Sequence, residues 1–512
     1  MDQSDSSQTN VNQTDISQTN ISQTNASQVR SAVAEPWCSA QLQQATHGQW
    51  HYLQSELSAC QRIVTDNRRV QPGDVFLALQ GERFDGHDFA AQAIASGASA
   101  LIVSHLIESL AVPQLLVDDT RLALGHLGAY RRQQYPDLTI LALTGSSGKT
   151  TVKEMLGSIL RMSAPTLVTR GNLNNDLGVP MMLLELLPEH RYAVMELGAN
   201  HVGEIDYTSK LVQPQVAGVL NIGTAHMGEF GGRLGIARAK SEIFNHLTDS
   251  PDHKMVAIVP SHGDFSEVVQ QAAANHQCIS FGHGGDVFAE HVELQANSSQ
   301  FELVTPQGRI AISLPFAGQH NIENALAAAS FALAIDVPLS QIAQGLQSAV
   351  GAQGRLTFKQ HGNWLIIDDT YNANPHSMRA AAQVLAAQAG RKILVLGDIG
   401  ELGDAASAEH YALGQDLADM SLDAVFAVGE FAAQTIAGVQ AQTSRIQAQA
   451  FTEKSALLIE LRQWLQQAES SRASLLFKGS RYTKMESLIA DLINGSLAAP
   501  VSSQPAKFGE NI

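Results

Sequence analysis

Beyond about residue 36 the chain alternates short apolar runs with stretches of helical period. Apolar runs of strand length recur at 74–79, 100–103, 138–143, 192–197, 216–222, 364–368, 391–396, 424–428 and 474–477. Helical patterns fill many of the gaps, at 88–96, 122–135, 152–162, 234–247, 377–389 and 410–420. Strand followed by helix, repeated, predicts an α/β architecture built on mostly parallel sheets. The segment 315–334 is so rich in alanine that it reads as a tightly packed helix, capped where Asn321 opens it. By contrast, 170–180 holds too many turn formers to be helical.

Residues 1–35 break the pattern. The tetrapeptide SQTN recurs at 7–10, 17–20 and 22–25. So polar a tract cannot bury enough apolar surface to offset its ordering entropy, and disorder is expected. It has neither a basic start nor an apolar core, so it is not a signal peptide. The remainder divides into about three domains, 36–136, 137–351 and 352–499, with a second tail at 500–512. No apolar run approaches the roughly 18 residues of a membrane span. The net charge of −17 over 512 residues argues against a nucleic-acid partner, which demands a basic surface. A nucleotide needs only a local site. Cys38, Cys60 and Cys278 are scattered, offer no disulfide framework or zinc spacing, and fit a reducing cytoplasm.

The chemistry concentrates where apolar runs end. After 138–143 come Gly145, Ser146, Ser147 and Gly148, then Lys149, Thr150 and a helix. Strand, glycine turn, Lys-Thr and helix is an arrangement that holds a triphosphate: backbone N–H groups approach the phosphate oxygens and the helix N-terminus adds partial positive charge. Lys149 would reach the outer phosphates and the Thr150 hydroxyl a magnesium ion. A full P-loop pattern has glycine where Leu143 stands, so this is a shortened form.

Other strand ends carry further candidates. Glu196 closes an otherwise apolar strand, two strands along from the P-loop, where a carboxylate is costly unless paired or on a metal. His226 follows another strand, and Lys240 lies on an apolar helix, where it could equally be an ordinary solvated lysine. Asn172, Asn174 and Asn175 sit in the turn-rich segment, as ligands or as caps. Asn321 and Asn324 lie one helical turn apart and could present amides to one ligand. Thr65, Asn67 and Arg68 cluster at strand ends of the first domain, as contacts or as turn residues. Asp369, Tyr371, Asn372 and Asn374 crowd the end of 364–368, and Lys478, Ser480 and Arg481 form a basic loop suited to a carboxylate or phosphate. The loop 397–403 departs from dinucleotide-binding spacing, so no NAD is assigned.

Several of these stretches, in order and spacing, resemble the Mur ligase superfamily. They are Thr144 to Thr151, 172–180, Met195 to Gly198, Asn221 to His226, Gly318 to Asn324, Gly354 to Leu356 and Asp369 to Pro375. The resemblance implies a small α/β N-terminal domain holding a UDP-linked substrate. It also implies a central P-loop-type, mostly parallel sheet with helices on both faces, and a Rossmann-like C-terminal domain. Three stretches (371–378, 396–403 and 478–481) resemble most the branch that adds D-alanyl-D-alanine to UDP-N-acetylmuramoyl-tripeptide. The Asp-Asn-Pro-Arg motif of the diaminopimelate-adding branch is absent.

By this resemblance ATP activates the tripeptide carboxylate as an acyl phosphate, which the dipeptide amine attacks. Thr144 to Thr150, Asn321, Asn324, Arg355 and Asp369 would hold ATP. Thr150, Glu196, His226 and a carbamylated Lys240 would hold two magnesium ions. Thr65, Asn67, Arg68 and the three asparagines would meet the UDP-linked substrate, and the third-domain residues the dipeptide. A cytoplasmic monomer with small-molecule substrates is expected. A diaminopimelate- or lysine-adding ligase, a folylpolyglutamate synthase or a non-catalytic nucleotide-binding regulator are the alternatives.

Overall fold

The computed structural model describes residues 35–57, 60–81, 84–223, 229–249, 254–466 and 472–495. His226, the SQTN repeats and the tail at 500–512 lie outside the described residues. Strand Thr139–Thr144 sits inside a six-stranded sheet between Tyr192–Glu196 and Val216–Val219. Thr166–Val168 extends the sheet on one side, and Val256–Pro260 with Gln277–Phe281 on the other, all in parallel.

Successive side chains of the P-loop strand face opposite ways into two apolar layers. Leu141 and Leu143 join Val152, Met155 and Leu156 of helix Lys149–Arg161 and Phe331 of helix Gln319–Leu333. Ile140 and Ala142 join Val179 and Met182 of helix Gly178–Leu183 and Ile236 of helix Arg233–Ser241. Burial on both faces is why this strand reads as a continuous apolar run.

A second six-stranded sheet runs in the order Thr357–His361, Trp364–Asp369, Ala473–Lys478, Arg391–Gly397, Ala424–Val428 and Gln447–Phe451. Its first pair is antiparallel and the rest parallel. A five-stranded sheet formed from Gln49–His51, Gln114–Leu116, Ala100–Val103, Val75–Leu77 and Ile63–Val64 precedes them in the chain. The antiparallel strands Phe288–Leu294, Ser299–Thr305 and Gly308–Leu314 have no counterpart in the predicted elements. One face of this small sheet adds Phe301, Leu303, Ile312 and Leu314 to the layer around Phe331. Among the described residues no helix is long and apolar enough to cross a membrane.

Several predicted elements are corrected. Segment 170–180 does become helical at its end, because Asn175 Oδ1 accepts from Gly178 N–H at 2.8 Å. Pro180 then falls in the first turn, where its missing N–H costs nothing. The pattern at 234–247 is not one helix: it splits into Arg233–Ser241 and a 3₁₀ turn, Glu242–Phe244. The helix expected to start at Asn321 begins at Gln319, with Gly318 as its cap residue, and Asn321 is interior. The strand at 216–222 stops at Val219.

Helix Leu339–Gln347 presses Gly345 onto the backbone of Ile159 so closely that a Cβ would overlap it. Ser158 Oγ donates to Gly345 O at 2.8 Å across the same contact. Gly345→Ala should therefore destabilise by about 1–3 kcal/mol through overpacking, although alanine is the better helix former by about 1 kcal/mol. A lower urea midpoint is expected, and a raised one would show that the contact yields.

Candidate active site

The carboxyl ends of the two parallel sheets contribute to one cleft of about 930 Å³, where α/β proteins bind ligands. The P-loop strand delivers Ser146 to Thr151, strand Trp364–Asp369 delivers Asp369, and strand Ala473–Lys478 delivers Lys478. Helix Gln319–Leu333 adds Asn321 and Asn324, and Arg355 comes from the connection before the second sheet. A smaller cavity of about 70 Å³ adjoins the P-loop and is lined by Lys149, Lys240, Asn372, Asn374 and Glu401 among others.

The P-loop turns through Gly148, whose φ of 79° places it in the left-handed region. A Cβ there would also collide with Asn324 Oδ1, so only glycine satisfies both the turn and the neighbour. Asn221, absent from the predicted site, buckles the loop. Its Oδ1 accepts from Ser147 N–H at 3.0 Å and Oγ at 3.2 Å, and its Nδ2 donates to Ser147 O at 3.1 Å. The readable signal was an asparagine just past a strand that pairs directly with the P-loop strand.

Lys149 folds back to donate to Gly145 O at 2.7 Å. Burial holds its pKa below the usual lysine range, with Arg355 pushing the same way and Glu196 and Glu401 opposing. Thr150 Oγ1 donates to Glu196 Oε2 at 3.2 Å and accepts from Arg355 Nη2 at 3.2 Å. Glu196 is 3% exposed and lies on the strand immediately beside the P-loop strand, not two away. Asn174 Nδ2 donates to its Oε1 at 2.7 Å. Lys153, one turn beyond Lys149, is fully buried, donates to Thr169 O at 2.7 Å and stands 3.8 Å from Glu196 Oε2. Sequence reasoning missed Lys153, although a lysine inside an apolar stripe was legible.

Lys240 is 4% exposed. Burial, with Lys149 nearby, lowers its pKa to about 7. Among the described residues no hydrogen bond or ion pair engages its Nζ. A desolvated, unpartnered ammonium is unfavourable and so prefers to lose its proton.

Across the cleft, Lys478 Nζ donates to Asp369 Oδ2 at 2.6 Å and to Asn372 O at 2.9 Å. Arg355 lies 4.4 Å above the Tyr371 ring, with Arg481 at 5.9 Å, and the Arg355 Nε is buried without a hydrogen-bond partner among the described residues. Arg355 is itself among the residues that line the cleft.

Some predicted residues are engaged in the scaffold. Asn374 caps helix Pro375–Ala386 through a reciprocal pair with Ser377. Asn175 caps Gly178–Leu183, and Ser480 Oγ accepts from Gly400 N–H at 2.7 Å. Asn321 donates to Ala317 O at 2.8 Å and accepts from Asn324 at 3.1 Å. Thr144 is fully buried and its Oγ1 has no hydrogen-bond partner among the described residues. Among the described residues Asn172 makes no side-chain hydrogen bond. Thr65, Asn67 and Arg68 stay with the five-stranded sheet, where Asn67 bonds Gln92 at 2.8 Å and Arg68 pairs with Asp66 at 2.8 Å. They do not join the cleft lining.

Three family models match the chain: Mur ligase family, catalytic domain, at residues 60–132; Mur ligase middle domain, at 143–332; and Mur ligase, glutamate ligase domain, at 354–481. The UDP-N-acetylmuramoyl-tripeptide–D-alanyl-D-alanine ligase of Escherichia coli (strain K12) is 42% identical over 436 residues, covering 84% of this chain and 93% of that protein. Its Bacillus subtilis (strain 168) namesake is 34% identical, covering 87% and 96%. A crystal structure of MurF from Acinetobacter baumannii superposes with a TM-score of 0.86 at 58% identity, over 90% of this chain and all of that one. A MurF ligase from Thermotoga maritima, solved in complex with ADP, gives a TM-score of 0.73 at 27% identity over 84% and 96%.

Gly148→Ala should abolish measurable ADP binding in a calorimetric titration, because it strains the turn and displaces Asn324. Wild-type affinity would show that the loop does not need its left-handed residue.

Proposed function

The chain belongs to the Mur ligase family, and from that premise we propose that it joins D-alanyl-D-alanine to UDP-N-acetylmuramoyl-tripeptide at the expense of ATP. The product is the pentapeptide precursor of peptidoglycan. The observation that carries this reading is the single cleft into which one sheet brings Lys149, Thr150 and the other brings Asp369 and Lys478. A relative solved with ADP supports the same nucleotide here. We propose three domains at the limits drawn above, with the cleft between the second and third.

A carboxylate is a poor electrophile, so it must first take the γ-phosphoryl group. Two anions then have to meet, and they need counter-charge. Lys149 is placed to exchange its Gly145 carbonyl for phosphate oxygens, the loop N–H groups would cradle them, and Arg355, which lines the same cleft, would add its charge. Asn321 and Asn324 face the base and Asp369 the ribose end, with Asn324 also buttressing Gly148.

The donor set fits magnesium: a buried hydroxyl and a buried carboxylate already in contact are hard oxygen ligands. Thr150 and Glu196 would hold one ion, Lys240 with His226 a second, and Lys153 with Asn174 fix the carboxylate. Bound magnesium supplies charge neutralisation at the phosphate oxygens. Lys240 suits carbamylation on physical grounds: its amine is buried, has no hydrogen-bond or ion-pair partner among the described residues, and burial lowers its pKa to about 7, so a substantial neutral fraction is present near pH 7. The neutral amine's nitrogen bonds to the carbon of carbon dioxide and releases one proton, which turns an uncharged group into an anionic oxygen ligand. Thr65, Asn67 and Arg68 hold the UDP end, and Asn172, Asn174 and Asn175 the acceptor. Tyr371, Asn372, Asn374, Lys478, Ser480 and Arg481 border the dipeptide.

Phosphate release should require ATP, UDP-muramoyl tripeptide and D-alanyl-D-alanine together, with single D-alanine inactive as control. Lys149→Ala should lower kcat on the order of 10²- to 10³-fold, and a wild-type rate would refute the P-loop assignment. Lys240→Ala should lose activity and regain part of it with added short carboxylic acids. Loss without any recovery, or no loss, would count against the carbamate.

A further inference from the structure

The small cavity beside the P-loop carries an imbalance of charge. Lys149 and Lys240 line it from helices packed on the P-loop sheet, and Asn372 and Glu401 from the loops that follow strands Trp364–Asp369 and Arg391–Gly397 of the second sheet. Among its described lining residues Glu401 is the one carboxylate. Its backbone is left-handed, with φ of 65°, a conformation that persists in a side-chain-bearing residue only when its surroundings impose it. They do: Gly400 N–H donates to Ser480 Oγ at 2.7 Å, and Ser480 N–H donates to Asp398 O at 3.0 Å. The loop is thus tied to the Lys478–Arg481 turn and turns Glu401 toward the cavity. Its charge is felt at Lys149, which it helps keep protonated against burial.

We infer that Glu401 receives the ammonium group of the incoming dipeptide. The inference rests on the ligase reading above. A free α-amino group, with pKa about 7.7–8.0, arrives largely as a cation at neutral pH. It must come within bonding range of a carbonyl held beside Lys149. The cations gathered there for phosphoryl transfer repel it. A carboxylate brought to the same cavity from the second sheet offsets that repulsion and favours an amine-bearing nucleophile over water; the bound ammonium gives up one proton to solvent before its lone pair attacks. Glu401 therefore sets where the dipeptide's amino end lies, while the basic turn at Lys478–Arg481, to which its loop is tied, borders the rest.

The test separates activation of the acceptor from capture of the amine. Hydroxylamine is uncharged at about pH 8 and needs no ammonium receptor. It attacks an acyl phosphate, its nitrogen bonding to the carbonyl carbon as phosphate leaves, and a hydroxamate forms. Glu401→Gln should raise the KM for D-alanyl-D-alanine about tenfold or more, and Glu401→Asp should regain part of that. Hydroxamate formation from ATP, tripeptide acceptor and hydroxylamine should fall several-fold less than peptide formation, since that reaction loses only the support Glu401 lends to protonated Lys149 and not an ammonium receptor. An unchanged KM would overturn the inference. A parallel fall of hydroxamate and peptide formation would also overturn it, because Glu401 would then merely shape the loop. Absence of hydroxamate with the wild-type protein would instead refute the acyl-phosphate reading on which it rests.

Discussion

Positive charge held out of water is the constraint around which this structure is arranged. Lys149, Lys240 and Lys478 are all desolvated, and burial lowers the pKa of each. Isolated ammonium groups in such surroundings are unfavourable by several kcal/mol each. The fold handles each differently. Lys149 rests on a loop carbonyl, Lys478 on Asp369, and Lys240 on no described partner. Lys149 and Lys240 are thereby without a carboxylate hydrogen-bond partner among the described residues, whereas Lys478 pairs with Asp369 on the second sheet.

Holding those cations requires a rigid frame. Continuous parallel strands, buried on both faces, bring their carboxyl ends to one cleft. Gly148 lets the P-loop turn against Asn324, and Asn221 closes the loop from the next strand. Glu196 is aimed by Asn174 on one oxygen and meets Thr150 on the other. A buried carboxylate so engaged is preorganised, which is what charge stabilisation during reaction requires.

The central sheet was legible because two-sided burial writes itself as apolar runs with few alternatives. Strands Ala100–Val103 and Ala424–Val428 match the structure residue for residue. The P-loop was legible because glycine and lysine at that spacing have few other uses. What stayed hidden depended on partners distant in sequence. Asn221 acts on Ser147, 74 residues earlier, and Lys153 acts on Thr169 and Glu196. The cap expected at Asn321 failed because Gly318 opens the helix with a backbone turn instead of a side chain. The antiparallel strands at 288–314 were missed because the outer one is largely polar and exposed, with no apolar period to reveal it.

Everything turns on one nucleotide being gripped from two sheets at once. Hydrogen–deuterium exchange with magnesium and a non-hydrolysable ATP analogue tests this most directly. Protection should appear together at the loop 145–151 and at 355 and 369–374. Protection limited to one of these regions, or none at either, would contradict it.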